Sequence, residues 1–238
     1  MIKIVPQSNM KFGFLKHSLV DYPGEVCAVF FIPGCNFHCS YCHNQNLEAD
    51  VEQSGWTLEQ ILSYLRDARR LLTGVCISGG EPTLQENLLI DLIKRFKALN
   101  LKIKLDTNGS RSEVLKSVAS DVDYVAMDLK TSPKRYLKLA HPNEAPSLLT
   151  NLNASVELLL RRPPETYEFR TTLSPFWADE DALHDIGRMI NEESRWYLQR
   201  CRGEEAPRNA FERLEEERRI QRAVDIAKSY SKHVFLRR

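Results

Sequence analysis

Apolar runs and amphipathic stretches alternate along most of the chain. Six short segments are rich in β-branched, aromatic or other apolar residues, a pattern typical of buried strands. We predict strands at residues 26–32, 75–78, 102–106, 124–129, 167–173 and 195–199. The segments between them carry apolar residues at helical spacing. Alternating strands and helices favour parallel βαβ units with right-handed crossovers, so we expect an α/β fold built as a partial (β/α)6 TIM-like barrel.

Capping residues predict where the helices begin. Thr57 followed by Gln60 is a capping-box pattern and predicts a helix from Thr57. Thr83 followed by Glu86 repeats the pattern and predicts a second long helix. We expect further helices around 114–118, after Ser132-Pro133, from Pro146 to about Leu160, and near 179–191.

The C-terminal segment 203–232 is highly charged and carries spaced apolar residues at Phe211, Leu214, Ile220, Val224 and Ala227. This pattern predicts a surface helix whose apolar side packs on the rest of the chain, with a partner-binding helix as the alternative. No repeat, low-complexity segment or linker divides the chain. We therefore expect one domain over residues 1–238, with a core at about 12–200 and a helical extension at about 203–238.

The composition excludes several classes of protein. With 238 residues, 42% of them hydrophobic, the chain can bury a full core. Its 33 Lys and Arg balance 32 Asp and Glu, and a net charge of +1 gives no reason to expect binding to nucleic acid or a membrane surface. No apolar run nears the roughly 18 residues that cross a bilayer, and the N-terminus lacks the apolar core of a secretory signal. We expect a soluble, cytoplasmic protein with reduced cysteines.

Three of the six cysteines, Cys35, Cys39 and Cys42, form a C-x3-C-x2-C run. A zinc site completed by His38 or His43 is one interpretation, although zinc ligands usually come as two separated pairs. The favoured interpretation is a 4Fe–4S cluster held by three thiolates, which leaves one iron open to a ligand that is not protein.

The remaining cysteines have less distinctive surroundings. Cys27 and Cys76 lie inside predicted apolar strands, where cysteine is commonly a small core residue. Cys201 stands alone after the sixth strand and receives no role.

Polar motifs follow four consecutive predicted strands. The cysteine run comes after the first strand and GGEP (79–82) after the second, while DTNG (106–109) and DLK (128–130) lie at the ends of the third and fourth. The carboxyl ends of parallel strands share one edge, where α/β proteins bind ligands. The sequence therefore predicts that these four motifs meet at one site.

Together these motifs resemble the radical S-adenosylmethionine (radical SAM) superfamily. The likeness extends to S-x-V-D-x-P-G (18–24), CHN (42–44), LDTNG (105–109) and MDLK (127–130). The whole set is similar to the activating enzymes of glycyl-radical enzymes, which include those of anaerobic ribonucleoside-triphosphate reductase and pyruvate formate-lyase. The resemblance covers about residues 12–200 and implies a partial barrel of the radical SAM type.

The resemblance also implies roles for individual residues. The three cysteines would ligate the cluster, and the amino and carboxylate groups of S-adenosylmethionine would bind the open iron. Gly79, Gly80 and Glu81 would face the cofactor's amino group, where glycine permits close backbone approach. Tyr41 and His43 would line the adenine or shield the cluster, although a packing role is nearly as well supported.

The last implied residues are charged or polar. Asp106, Thr107 and Asp128 are similar to a monovalent-cation site beside the cofactor, and Lys130 is an alternative source of neutralising charge. An ordinary Asx turn explains DTNG equally well. Arg170 would reach the cofactor carboxylate if its side chain faces inward, which strand alternation leaves open.

The resemblance implies an activity in which a 5′-deoxyadenosyl radical removes hydrogen from a glycine Cα of a partner, most simply anaerobic ribonucleotide reductase. A low-potential donor such as flavodoxin or ferredoxin would supply the electron. Two alternatives stay open. One is a small-molecule radical SAM enzyme resembling 7-carboxy-7-deazaguanine synthase, and the other is a non-catalytic iron–sulfur electron carrier.

Overall fold

The computed structural model describes residues 10–144, 146–202 and 209–237, except for the side chains of residues 210 and 211. Within these ranges the chain separates into two compact units, each assembled from discontinuous segments. The first comprises the described parts of Met1–Cys35, Asn44–Thr107 and Ser117–Tyr124. The second comprises Asn36–His43, Asn108–Lys116 and the described parts of Val125–Arg238. Whether they act as one domain stays a prediction.

The first unit is built on five strands. They are β1 (Lys11–Ser18), β2 (Cys27–Ile32), β3 (Trp56–Thr57), β4 (Gly74–Gly79) and β5 (Lys102–Thr107). Their order is β3-β1-β2-β4-β5. β2, β4 and β5 run parallel, whereas β1 is antiparallel to both β2 and β3. The helices of this unit are α1 (Leu47–Ser54), α2 (Leu58–Ala68) and α3 (Glu86–Lys97).

The second unit carries four parallel strands in the order β6-β7-β8-β9. They are β6 (Tyr124–Asp128), β7 (Tyr167–Thr172), β8 (Arg195–Gln199) and β9 (His233–Arg237). The helix α4 (Ser112–Val118) contributes residues to both units. The other helices are α5 (Pro133–Tyr136), α6 (Leu148–Leu160), α7 (Glu180–Gly187) and α8 (Ala210–Lys228).

The parallel register sets where the motifs of the first unit lie. β2 pairs with β4 from Cys27 opposite Gly74 to Ile32 opposite Gly79, so both strands end at the same level. The cysteine motif leaves β2 at this level, and the glycines of GGEP leave β4 there. The two segments are therefore neighbours although more than 40 positions separate them along the chain.

The buried strands confirm the small-residue role expected for two cysteines. Cys27 and Cys76 are fully buried, and together with Val29, Tyr22 and Tyr124 they form one apolar cluster. Burial raises the pKa of the Cys27 thiol to about 11, which keeps it protonated at neutral pH.

Most predicted elements are confirmed, but α6 begins at Leu148 and not at Pro146, and the predicted start of the second long helix is also wrong. The capping box at Thr57 is present, with Thr57 and Gln60 bonding reciprocally. α3 instead begins at Glu86 after Gln85, because Thr83 lies in a 3₁₀ turn capped by the Glu81 side chain. β1, β3, α1 and β9 were not predicted.

The charged C-terminal helix is confirmed as α8, and its predicted buried side is confirmed in part. Ile220 and Ala227 are buried as predicted, and Val224 is half-buried. Ala223 is buried as well, whereas Leu214 is exposed. The Phe211 side chain lies outside the described residues. None of the described helices combines the length and the apolar character that a membrane span needs.

Candidate functional site

Two glycines of the first unit lie directly against the segment that leads into the cysteine motif. The Gly80 N–H donates to Ile32 O at 2.8 Å, and the Glu81 N–H donates to Gly34 O at 2.8 Å. A Cβ on Gly80 would lie 2.0 Å from Gly34 O, and one on Gly79 would lie 2.2 Å from Ile32 O. Gly79 also has φ +127, which disfavours other residues. Both positions therefore require glycine for backbone packing in this unit.

The asparagine of the CHN motif fixes the same turn. Asn44 donates through Nδ2 to Gly79 O at 2.8 Å, and Gln85 donates through Nε2 to Pro33 O at 3.1 Å. Asn44 belongs to the CHN motif, but the sequence indicated no role for it. In the structure it forms this hydrogen bond with the backbone of Gly79.

The predicted site residues Glu81 and Thr107 are brought together. The Glu81 carboxylate is 1% exposed and accepts hydrogen bonds from Thr83 Oγ1 at 2.5 Å and Thr107 Oγ1 at 2.8 Å. It also accepts from the Thr83 N–H at 3.1 Å. Glu81 is thus enclosed and holds the turn after β4 to the end of β5.

Asp106, at the end of β5, has a neighbouring cation that sequence reasoning missed. Its carboxylate is ion-paired with Lys104 and accepts a hydrogen bond from Ser78 Oγ at 3.3 Å. The side chain of Lys104 is 1% exposed. The K-x-D spacing of Lys104 and Asp106 could have predicted this pair, because residues two apart on a strand share one face.

In the second unit, the middle of the cysteine motif is held by a neighbouring loop. The His38 N–H donates to Leu139 O at 2.9 Å, and the His141 N–H donates to Asn36 O at 3.0 Å. Within the motif, the Cys42 N–H donates to Cys39 O at 3.1 Å and closes a turn. The motif is therefore an ordered loop in this unit.

A buried polar network surrounds Asn36, which follows the first cysteine. Asn36 Nδ2 donates to Ser110 Oγ at 2.8 Å and to Glu144 Oε2 at 3.0 Å, and its Oδ1 accepts from Asn108 Nδ2 at 2.9 Å. Arg111 donates to both oxygens of Glu144, at 2.6 and 2.8 Å. These two bonds lower the pKa of the Glu144 carboxyl despite its burial. Nothing in the local sequence indicated this network.

Three predicted site residues of the second unit form one charged group. The Asp128 carboxylate accepts hydrogen bonds from Lys130 Nζ at 2.9 Å and Arg170 Nε at 2.7 Å. Burial acts to raise the pKa of Asp128, but Arg170 and then Lys130 outweigh it and lower the pKa. The group contains two cations and one anion, so it carries a net positive charge. The Arg170 side chain lies on the same face as Asp128, and its contact with the cofactor carboxylate stays a prediction.

Cys39 and Tyr41 lie close to this charged group. Burial raises the pKa of the Cys39 thiol, and the Lys130 ammonium acts in the opposite direction. Burial also raises the pKa of Tyr41 well above its usual value, again opposed by Lys130. The second unit thus brings together Cys39, Tyr41, Asp128, Lys130 and Arg170.

The exposed end of the cysteine motif has two further neighbours. The pKa of His43 is lowered, first by partial burial of its ring and then by the Arg202 guanidinium, while the residue as a whole stays exposed. Trp177, which follows β7, donates through Nε1 to Ser40 Oγ at 3.0 Å. The sequence gave no indication of Trp177, because a tryptophan in a loop has no distinctive local pattern.

The residue types of the cysteine motif suit an iron–sulfur cluster. None of the six cysteines forms a disulfide, and those of the motif are exposed at Cys35 and Cys42 and buried at Cys39. Thiolates are the ligands that such clusters prefer. No three His, Cys, Asp or Glu side chains in the described ranges are gathered tightly enough to hold a metal ion.

Comparison with known proteins identifies relatives, one of them over nearly the whole chain. The family described as the Radical SAM superfamily matches residues 29–183. A protein of Methanocaldococcus jannaschii named "Putative glycyl-radical enzyme activating enzyme" is 30% identical over 229 residues, which cover 94% of each chain. The "Pyruvate formate-lyase-activating enzyme" of Clostridium pasteurianum is 35% identical over 116 residues, 47% of this chain and 48% of that protein.

A solved structure shares the architecture. The crystal structure of a domain of pyruvate-formate lyase-activating enzyme from Bacteroides vulgatus superimposes with a TM-score of 0.50 at 17% identity, over 69% of this chain and 99% of that domain. At this identity the likeness concerns the fold alone, and it confirms the predicted α/β fold class of the radical SAM type. The family match also spans the cysteine, GGEP, DTNG and DLK motifs. The chain belongs to the radical SAM superfamily and, within it, to the glycyl-radical enzyme activating enzymes.

Proposed function

We propose that this enzyme generates a glycyl radical on a partner protein, and that the partner is an anaerobic ribonucleoside-triphosphate reductase. Similarity over 94% of both chains to a protein named as a putative glycyl-radical enzyme activating enzyme carries the first part of the proposal, the generation of a glycyl radical on a partner. The choice of the reductase as partner rests on the resemblance of the sequence motifs alone. Two ordered segments support the proposal further. A backbone hydrogen bond closes a turn in the cysteine loop, and the glycine turn is packed against the end of β2.

The cofactors of the superfamily are a 4Fe–4S cluster and S-adenosylmethionine. In our proposal, Cys35, Cys39 and Cys42 hold the cluster through three thiolates, which leaves one iron for S-adenosylmethionine. When bound, the two groups supply one-electron reductive cleavage followed by hydrogen-atom abstraction. Flavodoxin or ferredoxin is the proposed electron donor, and the cytoplasm is the proposed location.

The residues of the chain would bind and orient these groups. The backbone of Gly79 and Gly80 lies beside the segment that carries Cys35, which supports a role in contacting the cofactor. The positive group formed by Asp128, Lys130 and Arg170 suits the cofactor's carboxylate, because two cations face one anion.

Three further residues receive more limited roles. Glu81 is enclosed, which supports positioning of Thr107 and the turn in place of direct contact with the cofactor. Tyr41, buried beside Cys39, is proposed to shield the cluster from water. His43, being exposed, is proposed to line the adenine.

The first experiment tests the cluster. After anaerobic reconstitution we expect about four irons per chain, and alanine at Cys35, Cys39 or Cys42 should abolish binding. Cys27→Ala and Cys76→Ala are the matched controls, because these fully buried thiols belong to the apolar core and their variants should retain iron. Zinc in place of iron, or iron retained by the motif variants, contradicts the assignment.

The second experiment tests the substrate. Reduced enzyme with S-adenosylmethionine should produce the paramagnetic-resonance doublet of a backbone Cα radical on an anaerobic ribonucleotide reductase. Deuterium from labelled glycine in the reductase should appear in 5′-deoxyadenosine. Radical formation only on pyruvate formate-lyase would replace the proposed partner. Label transfer only from an added small molecule would favour the small-molecule alternative.

A further inference from the structure

A lysine is fully buried in the first unit, where the proposed function gives it no part. Lys104 lies in the middle of β5, directly opposite Cys76 of β4, and its side chain is 1% exposed. Its ammonium is ion-paired with Asp106 and lies 3.8 Å from Cys76 Sγ. A buried ammonium is costly unless an anion accompanies it, so the Asp106 carboxylate explains how Lys104 is tolerated.

The same pairing decides what the Asp106 carboxylate can bind. The sequence motif suggested a monovalent-cation site at Asp106, Thr107 and Asp128. In the structure Asp106 is ion-paired with Lys104, and Thr107 Oγ1 donates a hydrogen bond to the Glu81 carboxylate. Asp128 separately has Lys130 and Arg170 as counterions. The two carboxylates expected to bind a cation thus already have counterions from the chain, whereas Thr107 Oγ1 keeps its lone pairs. Because the negative charges are already balanced, these residues do not fit a bound monovalent metal ion.

We propose that the Lys104 ammonium is a built-in counterion that takes the place of a bound monovalent cation at Asp106. The charge that K⁺ or Na⁺ would bring is supplied covalently, at a fixed position on β5. It follows that wild-type protein should be indifferent to the identity of the monovalent cation. Removing the ammonium should leave a buried carboxylate and an adjacent space, and so create a site for a small cation.

The test compares thermal unfolding of the full-length protein in potassium, sodium and choline chloride at one fixed ionic strength, so that general screening is constant. Wild type should unfold within about 1 °C of the same temperature in all three salts. Lys104→Ala should unfold at a lower temperature in choline and recover by about 2–4 °C or more in potassium or sodium, since a ligand that binds only native protein stabilises it.

The matched control is Lys102→Ala on the same strand. Lys102 is 59% exposed and pairs with Glu25 at 2.5 Å, so its removal should give no salt-specific response. In Lys104→Ala combined with Asp106→Asn the recovery should disappear, because the carboxylate that would bind the cation is gone.

Two results would overturn the proposal. One is a rise in wild-type unfolding temperature in potassium or sodium that Asp106→Asn removes, and the other is a Lys104→Ala variant with no more salt response than wild type. If Lys104→Ala does not fold in choline, folding restored by potassium supports the proposal. If Lys104→Ala does not fold in any of the three salts, Lys104→Gln is measured in its place by the same criteria. This variant removes the charge but keeps a hydrogen-bonding side chain. Since no cluster or substrate is needed, the outcome is independent of the proposed function.

Discussion

Replacing Asp128 by Asn should destabilise the protein measurably, in addition to any effect on cofactor cleavage. The carboxylate accepts charge-assisted hydrogen bonds from Lys130 at 2.9 Å and Arg170 at 2.7 Å. Such bonds contribute about 1.5–3 kcal/mol each. The three side chains keep 12–26% exposure, and Asn retains one acceptor oxygen, so we expect a net loss of about 2–3 kcal/mol. For a chain of this size that corresponds to a fall in Tm of about 4–12 °C.

The pH dependence provides a second signature of the same group. The pKa of Asp128 is lowered from 3.8 in the folded protein, so its stabilising contribution is fully present above the unfolded value. That contribution is lost as the pH falls through the lowered folded pKa. The difference in unfolding free energy between wild type and Asp128→Asn should therefore be constant near pH 7 and shrink below about pH 4.

The assay is urea unfolding of the cluster-free protein, with Asp185→Asn as the matched control. Asp185 pairs with Arg188 at 2.9 Å, but these side chains are 35% and 63% exposed, so its loss should cost less than about 0.5 kcal/mol. Combining Asp128→Asn with Lys130→Met should cost less than the sum of the single changes. Equal stability of Asp128→Asn and Asp185→Asn would show that the charged group around Asp128 does not stabilise the fold.

Two further predictions concern the segments around the cysteines. Gly80→Ala should lower stability and reconstituted iron content together, because the new Cβ would lie 2.0 Å from Gly34 O. Unfolding and iron assays test this against the control Gly24→Ala, whose Cβ has nothing within 4 Å and adds only the strain of φ +80. Asn36→Ala should cost about 1–3 kcal/mol by leaving buried Glu144 without one of its donors, and it should slow iron uptake; unfolding equal to wild type would contradict the first part.

The fold class and the cysteine motif could be predicted from the order of the amino acids. Runs such as 75–78 and 124–129 consist mostly of apolar residues, which is enough to predict buried strands. The short motifs indicated a family, and the comparisons confirmed it. β1 and β9 escaped prediction because their apolar residues are mixed with charged ones. The helix start at Thr83 was wrong because its hydroxyl and N–H are bonded by Glu81, which is not part of the capping-box pattern.

The burial of individual polar residues and their contacts depend on how the chain folds. Asn36 meets Glu144 across 108 positions of sequence, and Arg170 meets Asp128 across 42, so no local pattern could join them. Lys104 is two residues from exposed Lys102 on the same strand, yet it is enclosed. The physical reason is that the cost of burying a charge depends on its partners, and chain folding, more than sequence proximity, brings those partners together.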